Sequence, residues 1–171
     1  MKPVLVIAAL AASPAGAVEV QFCWLGAAGY SLAGTMAFPD ALAKAERITE
    51  ADVTGFKMTG YRDGVPVGSW SLDKLATETD WNVNFSPREL RFMTGGYSDS
   101  DTGQQWNASG EMTDCGTPGL GFNAGGGAQD LCLNGVFVVE SGVAPETPLL
   151  AYPAGTAPDC TATLHLSRSA D

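Results

Sequence analysis

The sequence predicts an all-β protein built as an antiparallel β-sandwich, jelly-roll-like or Ig-like, with one short connector helix. Glycine supplies 21 of the 171 residues and proline 10, which indicates many tight turns. About nine short segments alternate apolar and polar residues between turn signals, without a βαβ rhythm. A hydrophobic content of 45% fits one domain with a substantial core. A small barrel is the alternative architecture.

The first 17 residues have the features of a secretory signal peptide. Lys2 precedes an uncharged apolar run, and Ala15-Gly16-Ala17 matches the small-residue site where a signal peptidase would cut, before Val18. The run is shorter than the ~18 apolar residues needed to span a bilayer. An uncleaved anchor or a buried first strand is the alternative. We expect a signal peptide over residues 1–17, a single secreted domain over 18–171, and a secreted or periplasmic location.

The charge of the chain argues against two classes of partner. The net charge is -10, with 9 Lys plus Arg against 19 Asp plus Glu. Such a chain lacks the basic surface that phosphate backbones and anionic lipid headgroups require. We therefore expect neither nucleic acid nor a membrane as a partner.

Four cysteines fit an oxidising compartment. An even number of cysteines in an exported chain predicts two disulfides. Among the three possible pairings we favour Cys115 with Cys132, around a glycine-rich segment, and Cys23 with Cys160, which would tie the first strand to the last. A zinc site is the competing interpretation, but the sequence contains no C-x-x-C pair and no Cys/His cluster.

The first half of the domain predicts a hairpin followed by a connector. Residues 18–24 alternate in period two, and residues 30–38 do the same after a glycine-containing turn. Residues 39–47 contain alanine and other good helix formers, which predicts a helix of two or three turns at most.

Two more hairpins are expected after the connector. Val53–Arg62 and Val65–Leu72 flank Asp63-Gly64, a dipeptide typical of a two-residue type I′ turn. Trp81–Phe85 alternates strictly and should pair with Leu90–Thr94 across a turn.

The second half is rich in glycine and has weaker signals. Short strands are predicted at Gln104–Asn107 and Gly119–Phe122. Residues 130–140 resemble one buried strand, interrupted or bulged at Asn134-Gly135. The prolines between 145 and 158 indicate an extended connection over the surface, and residues 160–167 alternate as a closing strand.

A resemblance to known proteins rests on four segments, Phe22–Gly34, Ile48–Phe56, Gly68–Leu72 and Trp81–Phe85. In their glycine, aromatic and strand spacing they resemble exported bacterial β-rich proteins that often carry a PEP-CTERM sorting tail. The resemblance implies an exported location and a β-rich fold, and it assigns no residue roles. The final residues 164–171 lack a sorting Pro-Glu-Pro, an apolar span and a basic terminus. We therefore expect release into the periplasm or medium rather than surface sorting.

One loop has residues suited to a hard cation. In Ser98-Asp99-Ser100-Asp101-Thr102-Gly103, closely spaced carboxylates and hydroxyls precede a glycine, and such oxygens are the ligands that Ca²⁺ prefers. Asp99 and Asp101 are the candidate ligands, and no other cofactor is expected. The loop does not complete an EF-hand, because the twelfth position from Asp99 is Gly110. A plain solvated loop is the alternative.

Aromatic residues offer a second kind of site. Trp24, Trp70 and Trp81 fall on alternating strands and are expected in the core. Trp106 and Tyr97 lie in the polar, glycine-rich region, where loops often carry function. Their rings could stack on sugars, so they are the candidate ligand-binding residues, with a glycan or an extracellular matrix component as the partner.

The sequence favours a secreted, non-catalytic protein with a binding or structural extracellular role. The alternative is a small secreted hydrolase acting on a polysaccharide, which needs two converging carboxylates. Glu111 and Glu140 are candidates for that pair. A Ser-His-Asp triad would need His165, the single histidine, and no serine lies in a Gly-x-Ser-x-Gly motif. The oligomeric state is left open.

Overall fold

The structure, a computed structural model, describes residues 16–77, 80–96, 102–108 and 114–161. Within these ranges the chain forms strands β1 to β13, in order Ala17–Leu25, Tyr30–Pro39, Ile48–Thr49, Gly55–Arg62, Val65–Ser71, Trp81–Asn82, Asn84–Ser86, Arg91–Phe92, Gln104–Trp106, Leu120–Ala124, Gln129–Leu133, Val136–Val143 and Leu149–Pro153. Short 3-10 turns occupy Asp40–Leu42, Glu50–Asp52 and Leu72–Lys74. The all-β prediction is confirmed. The expected connector helix is reduced to the first of these turns, because so short a segment cannot nucleate an α-helix without tertiary support.

The strands form two antiparallel sheets. The larger has eight strands in the order β3-β7-β8-β13-β1-β2-β4-β5, and the smaller has five in the order β12-β11-β10-β9-β6. The larger sheet is strongly curled. Apolar side chains from both sheets form one buried cluster, which is the arrangement expected of two stacked β layers.

Two of the three predicted hairpins are present as expected. Strand β1 pairs with β2 along its whole length, from Ala17 opposite Pro39 to Leu25 opposite Ser31. Strands β4 and β5 meet at Asp63-Gly64, where φ is 50° and 78°. Both residues are left-handed, as a type I′ turn requires.

The third predicted hairpin is present in part, because Asn84–Ser86 pairs with Arg91–Phe92, whereas Trp81–Asn82 is a separate strand of the smaller sheet. The single strand expected over Trp81–Phe85 is therefore wrong, since the chain passes from one sheet to the other at Val83.

The segment expected to be one bulged strand is a hairpin. Strand β11 ends at Leu133, Asn134 and Gly135 turn with φ of 53° and 73°, and β12 starts at Val136. Asn-Gly is the dipeptide most typical of a type I′ turn. The apolar residues continue on both sides of it, which made the two strands resemble one.

The proline-marked connection also contains a strand that the sequence did not predict. β13 pairs with β1 on one side and with β8 on the other, and Leu149 and Ala151 are buried. The expected closing strand at residues 160–167 begins instead with a turn at Cys160 and Thr161. Residues 162–167 lie outside the described residues.

Trp106 is at the centre of the core. None of its surface is exposed. Its ring centroid lies 5.1 Å from that of Phe22, 4.9 Å from Phe56, 5.0 Å from Phe92 and 4.8 Å from Phe122. Phe22, Phe56 and Phe92 belong to the larger sheet and Phe122 to the smaller, so Trp106 joins the two layers. The expectation that Trp106 offers a ring face to a surface ligand is therefore wrong.

Replacing Trp106 by alanine should destabilise the fold strongly. Loss of a fully buried aromatic side chain costs about 3–5 kcal/mol. Urea unfolding followed by circular dichroism should show this loss. Trp81→Ala is the matched control, because Trp81 is only partly buried, and it should cost less. Equal stability of Trp106→Ala and the wild type would contradict the described core.

Candidate functional site

Three of the residues proposed as ligands fall outside the structural description. Tyr97, Asp99 and Asp101 belong to residues 97–101, which the structure does not describe. The calcium site at Asp99 and Asp101 and the stacking of a sugar on Tyr97 therefore stay predictions. Among the described residues, no group of three or more His, Cys, Asp or Glu side chains is placed to hold a metal ion.

Both predicted disulfides are present. Cys23 is bonded to Cys160 and Cys115 to Cys132, with Cα–Cα distances of 5.5 and 6.1 Å. Two disulfides indicate an oxidising compartment outside the cytoplasm. None of the helical turns in the described ranges has the length and apolar character of a membrane-spanning helix.

The outer face of the larger sheet carries a regular array of polar side chains. Strands β1, β2, β4 and β5 send alternate residues inward to the core and outward to solvent. One outward row, across the four strands in order, consists of Gln21, Thr35, Lys57 and Ser71. The next row consists of Cys23, Ala33, Thr59 and Ser69. The two rows form a floor rich in hydroxyl groups.

A segment that follows the last described strand forms a wall beside this floor. Residues 157–161 lie over the outer face. They line a groove of about 570 Å³ together with the first row and with Ala33, Thr59 and Ser69 of the second. The Cys23–Cys160 disulfide fixes the segment to β1. The Ser31 hydroxyl also donates a hydrogen bond of 2.7 Å to the Cys160 carbonyl oxygen. The groove is thus held by a covalent bond and a buried hydrogen bond.

The groove contains two lysines that lack an ion-pair partner among the described residues. Three arginines form ion pairs elsewhere, Arg62 with Glu140, Arg88 with Glu46 and Arg91 with Glu89. Lys57 and Lys74 both line the groove and have no ion pair with any described residue. Asp159 is the acidic residue of the lining, and its carboxylate accepts hydrogen bonds from the Thr161 backbone N–H and hydroxyl.

A second groove adjoins the first across strand β5. It has a volume of about 600 Å³ and runs between β5 and the segment at 114–119. Ser69, Trp70 and Lys74 line both grooves. Because β5 is an edge strand of the larger sheet, no further strand of that sheet separates them.

The candidate pair of carboxylates for hydrolysis, Glu111 and Glu140, stays untested, because Glu111 lies outside the described residues. Glu140 accepts a hydrogen bond of 3.1 Å from the Tyr30 hydroxyl and lies 3.2 Å from Arg62. Neither groove is lined by Glu140. Burial and the hydrogen bond to Glu140 raise the pKa of Tyr30 above its ordinary value, which keeps its hydroxyl protonated as the donor. Glu111 and His165 lie outside the described residues.

Sequence reasoning did not find the groove. The comparisons with protein-family models, curated proteins and solved structures found no match either. The usable signal was the run of hydroxyl residues at alternate positions of the β4–β5 hairpin, Thr59, Ser69 and Ser71. That signal becomes specific only once the register places these residues beside Thr35 of β2.

One buried acid lies on the smaller sheet, away from the groove. Asp130 is 5% exposed and stands opposite Asn123 in the β10–β11 ladder. Its Oδ1 atom is buried and has no hydrogen-bond partner within the described ranges. Burial raises the pKa of Asp130 from 3.8 to about 6, although a hydrogen bond with Asn123 acts in the opposite direction.

Asp130 should make stability depend on pH. Because its folded pKa is raised, the stabilising contribution of the protonated form is complete below about pH 4 and is lost as the pH rises through about 6. In the isosteric variant Asp130→Asn the side chain does not ionise, so the free energy of unfolding should not fall for this reason. Between pH 4 and pH 7 the unfolding free energy of the wild type should fall relative to the variant by roughly 2 kcal/mol.

Urea titrations at several pH values would measure this difference. Asp73→Asn, at an exposed position, is the matched control and should keep the wild-type pH profile. Parallel profiles for the wild type and Asp130→Asn would contradict a protonated buried carboxyl.

Proposed function

We propose that this protein is an exported, non-catalytic binding protein that takes an extracellular glycan in the groove on the outer face of the larger sheet. The observation that carries the proposal is the double row of outward side chains on four adjacent strands, walled by a disulfide-tied segment. Two disulfides support export. Cleavage before Val18 would keep the β1–β2 pairing from Val18 opposite Phe38 onward.

The groove has the chemistry that sugars require. A sugar hydroxyl both donates and accepts hydrogen bonds, and so do the hydroxyls of Thr35, Thr59, Ser69 and Ser71 and the amide of Gln21. These side chains stand on strands, which hold them more firmly than a loop would. The apolar atoms of Ala33 and Pro158 also line the groove and can meet the C–H faces of a sugar ring. A small set of fixed polar groups among apolar atoms is typical of ligand pockets.

The described groove favours binding over hydrolysis. Glycoside hydrolysis uses two carboxyl groups placed on either side of the scissile bond. Asp159 is the one carboxylate among the described lining residues of this groove, and it is engaged by Thr161. A binding role therefore fits better than the polysaccharide hydrolase that the sequence left as an alternative. A purely structural extracellular role predicts no saturable ligand.

Removing one groove hydroxyl should weaken glycan binding. Thr59→Val keeps the shape of the side chain and removes a hydrogen bond, which is worth about 1 kcal/mol, or about fivefold in Kd. Glycans found on an array would be titrated by calorimetry against the wild type and the variant. Thr54→Val is the matched control, because Thr54 is exposed and lines none of the grooves described above, and it should bind as the wild type does.

The same titrations decide between the roles. Saturable binding that is weakened by Thr59→Val and leaves the glycan intact in mass spectra supports the proposal. Release of shortened glycan would support the hydrolase instead. Absence of binding to any arrayed glycan, or equal affinity of Thr59→Val and the wild type, would overturn the proposed site.

A further inference from the structure

The two grooves adjoin at edge strand β5 of the larger sheet, and together they are called the path below. The first groove lies on the outer face of β1, β2, β4 and β5, and the second lies beyond β5, against residues 114–119. Ser69, Trp70 and Lys74 belong to both linings. Each groove alone, at about 570 and 600 Å³, has the volume of a small-molecule site. The joint path therefore suits an extended chain better than a single sugar.

The cations of this path are its most unusual feature. The whole chain carries 9 Lys plus Arg against 19 Asp plus Glu. Lys57 and Lys74, like Lys44 outside the grooves, form no ion pair with any described residue, and two of these three lysines line the path. Lys57 stands in the row between Thr35 and Ser71, with hydroxyls on both sides. Lys74 closes the 3-10 turn after β5 and lines both grooves. Lys57 thus lies in the first groove, and Lys74 lies where the two grooves adjoin.

The described acids of the path form no close ion pair with these lysines. Asp159 in the first groove accepts two hydrogen bonds from Thr161 and forms no ion pair with either lysine. Asp114 in the second groove also has contacts of its own. Each ammonium group is left with three donors for a ligand. An anionic group on the ligand would satisfy them better than a neutral hydroxyl.

We propose that the glycan is an acidic polysaccharide whose chain crosses edge strand β5 and places carboxylate or sulfate groups at Lys57 and Lys74. This inference rests on the proposed function and adds the charge and the length of the ligand. The hydroxyl rows bind the sugar hydroxyls, and the lysines select acidic chains over neutral ones. The net negative charge of the protein repels polyanions at long range, so the selection depends on these two local contacts.

Lysine variants tested against matched oligosaccharides examine the proposal. Lys57→Gln and Lys74→Gln keep length and polarity and remove the charge. The probes are a uronic acid hexamer, the same hexamer with its carboxyl groups reduced to alcohols, a sulfated hexamer and a uronic acid dimer. Lys44→Gln is the matched control, because Lys44 is exposed and lines neither groove.

The expected result is selective for charge and length. Each groove variant should weaken binding of the uronic acid hexamer about fivefold, the upper range for an exposed ion pair. It should weaken binding of the reduced hexamer less, because a neutral alcohol forms no ion pair with the lysine. Lys44→Gln should bind as the wild type does. Lys74→Gln should affect the hexamer more than the dimer if the chain crosses β5. Preference between the uronic acid and sulfated hexamers identifies the anionic group.

Failure of this inference can be told apart from failure of the proposed function. Equal binding of the acidic and reduced hexamers, unchanged in Lys57→Gln and Lys74→Gln but weakened in Thr59→Val, would overturn the acidic ligand and keep the glycan site. Binding of a neutral arrayed glycan but of no hexamer would overturn the inference and keep the proposed function, and absence of binding to any arrayed glycan would overturn both. Circular dichroism of each variant at the assay temperature establishes that the compared proteins are folded.

Discussion

The aromatic contact between the two sheets is the interaction on which the rest of the structure depends. Trp106 touches rings from both layers and is fully buried. Once Phe22, Phe56 and the other large apolar side chains point inward, strand alternation forces their neighbours outward. The row of Gln21, Thr35, Lys57 and Ser71 is therefore a consequence of how the core is packed. A shift of one residue in any of the four strands would break both the core and the row.

The Cys23–Cys160 disulfide links this core to the groove. Cys23 lies on β1 between the inward-facing Phe22 and Trp24, and so its sulfur reaches the outer face. There it holds the segment that follows the final described strand. The sulfur of Cys160 is 3.2 Å from the carbonyl oxygen of Leu32, and the Cys160 carbonyl accepts the Ser31 hydroxyl. The wall of the groove is thereby fixed to β1 and β2, the two central strands of the larger sheet's outer face.

Local signals allowed much of the fold to be predicted. Asp63-Gly64 defines a hairpin because both residues tolerate left-handed geometry. The cysteine pairing that is present is the favoured one of the three that the sequence left open. Trp106 was misplaced because its neighbours are polar. Gln104 is nevertheless buried, and its amide is satisfied by donating to the carbonyl oxygens of Asn84 and Met93. Polar composition indicated exposure, whereas the hydrogen bonds made burial possible.

The features that were missed depend on contacts between distant parts of the chain. Leu149 and Ala151 form a strand because β1 and β8 pair with it on either side. No local sequence pattern indicates this pairing. Asn107-Ala108-Ser109 matches the sequence of an N-glycosylation acceptor, yet Asn107 is buried and donates to the carbonyl oxygens of Cys115 and Leu120. The groove likewise exists only through the register of four strands. Alternation places a residue on a face, but only the sheet order identifies its neighbours.

The most direct measurement of the central claim is a two-dimensional ¹H–¹⁵N NMR titration of the oxidised protein with an acidic oligosaccharide. The largest backbone shifts should cluster at residues of the two outward rows, such as Thr35, Thr59 and Ser69, and continue to Lys74. The backbone signals of residues near Asp130, on the smaller sheet, should not shift. Shifts confined to the smaller sheet, or no shifts at millimolar ligand, would contradict the assignment of the groove as the binding site.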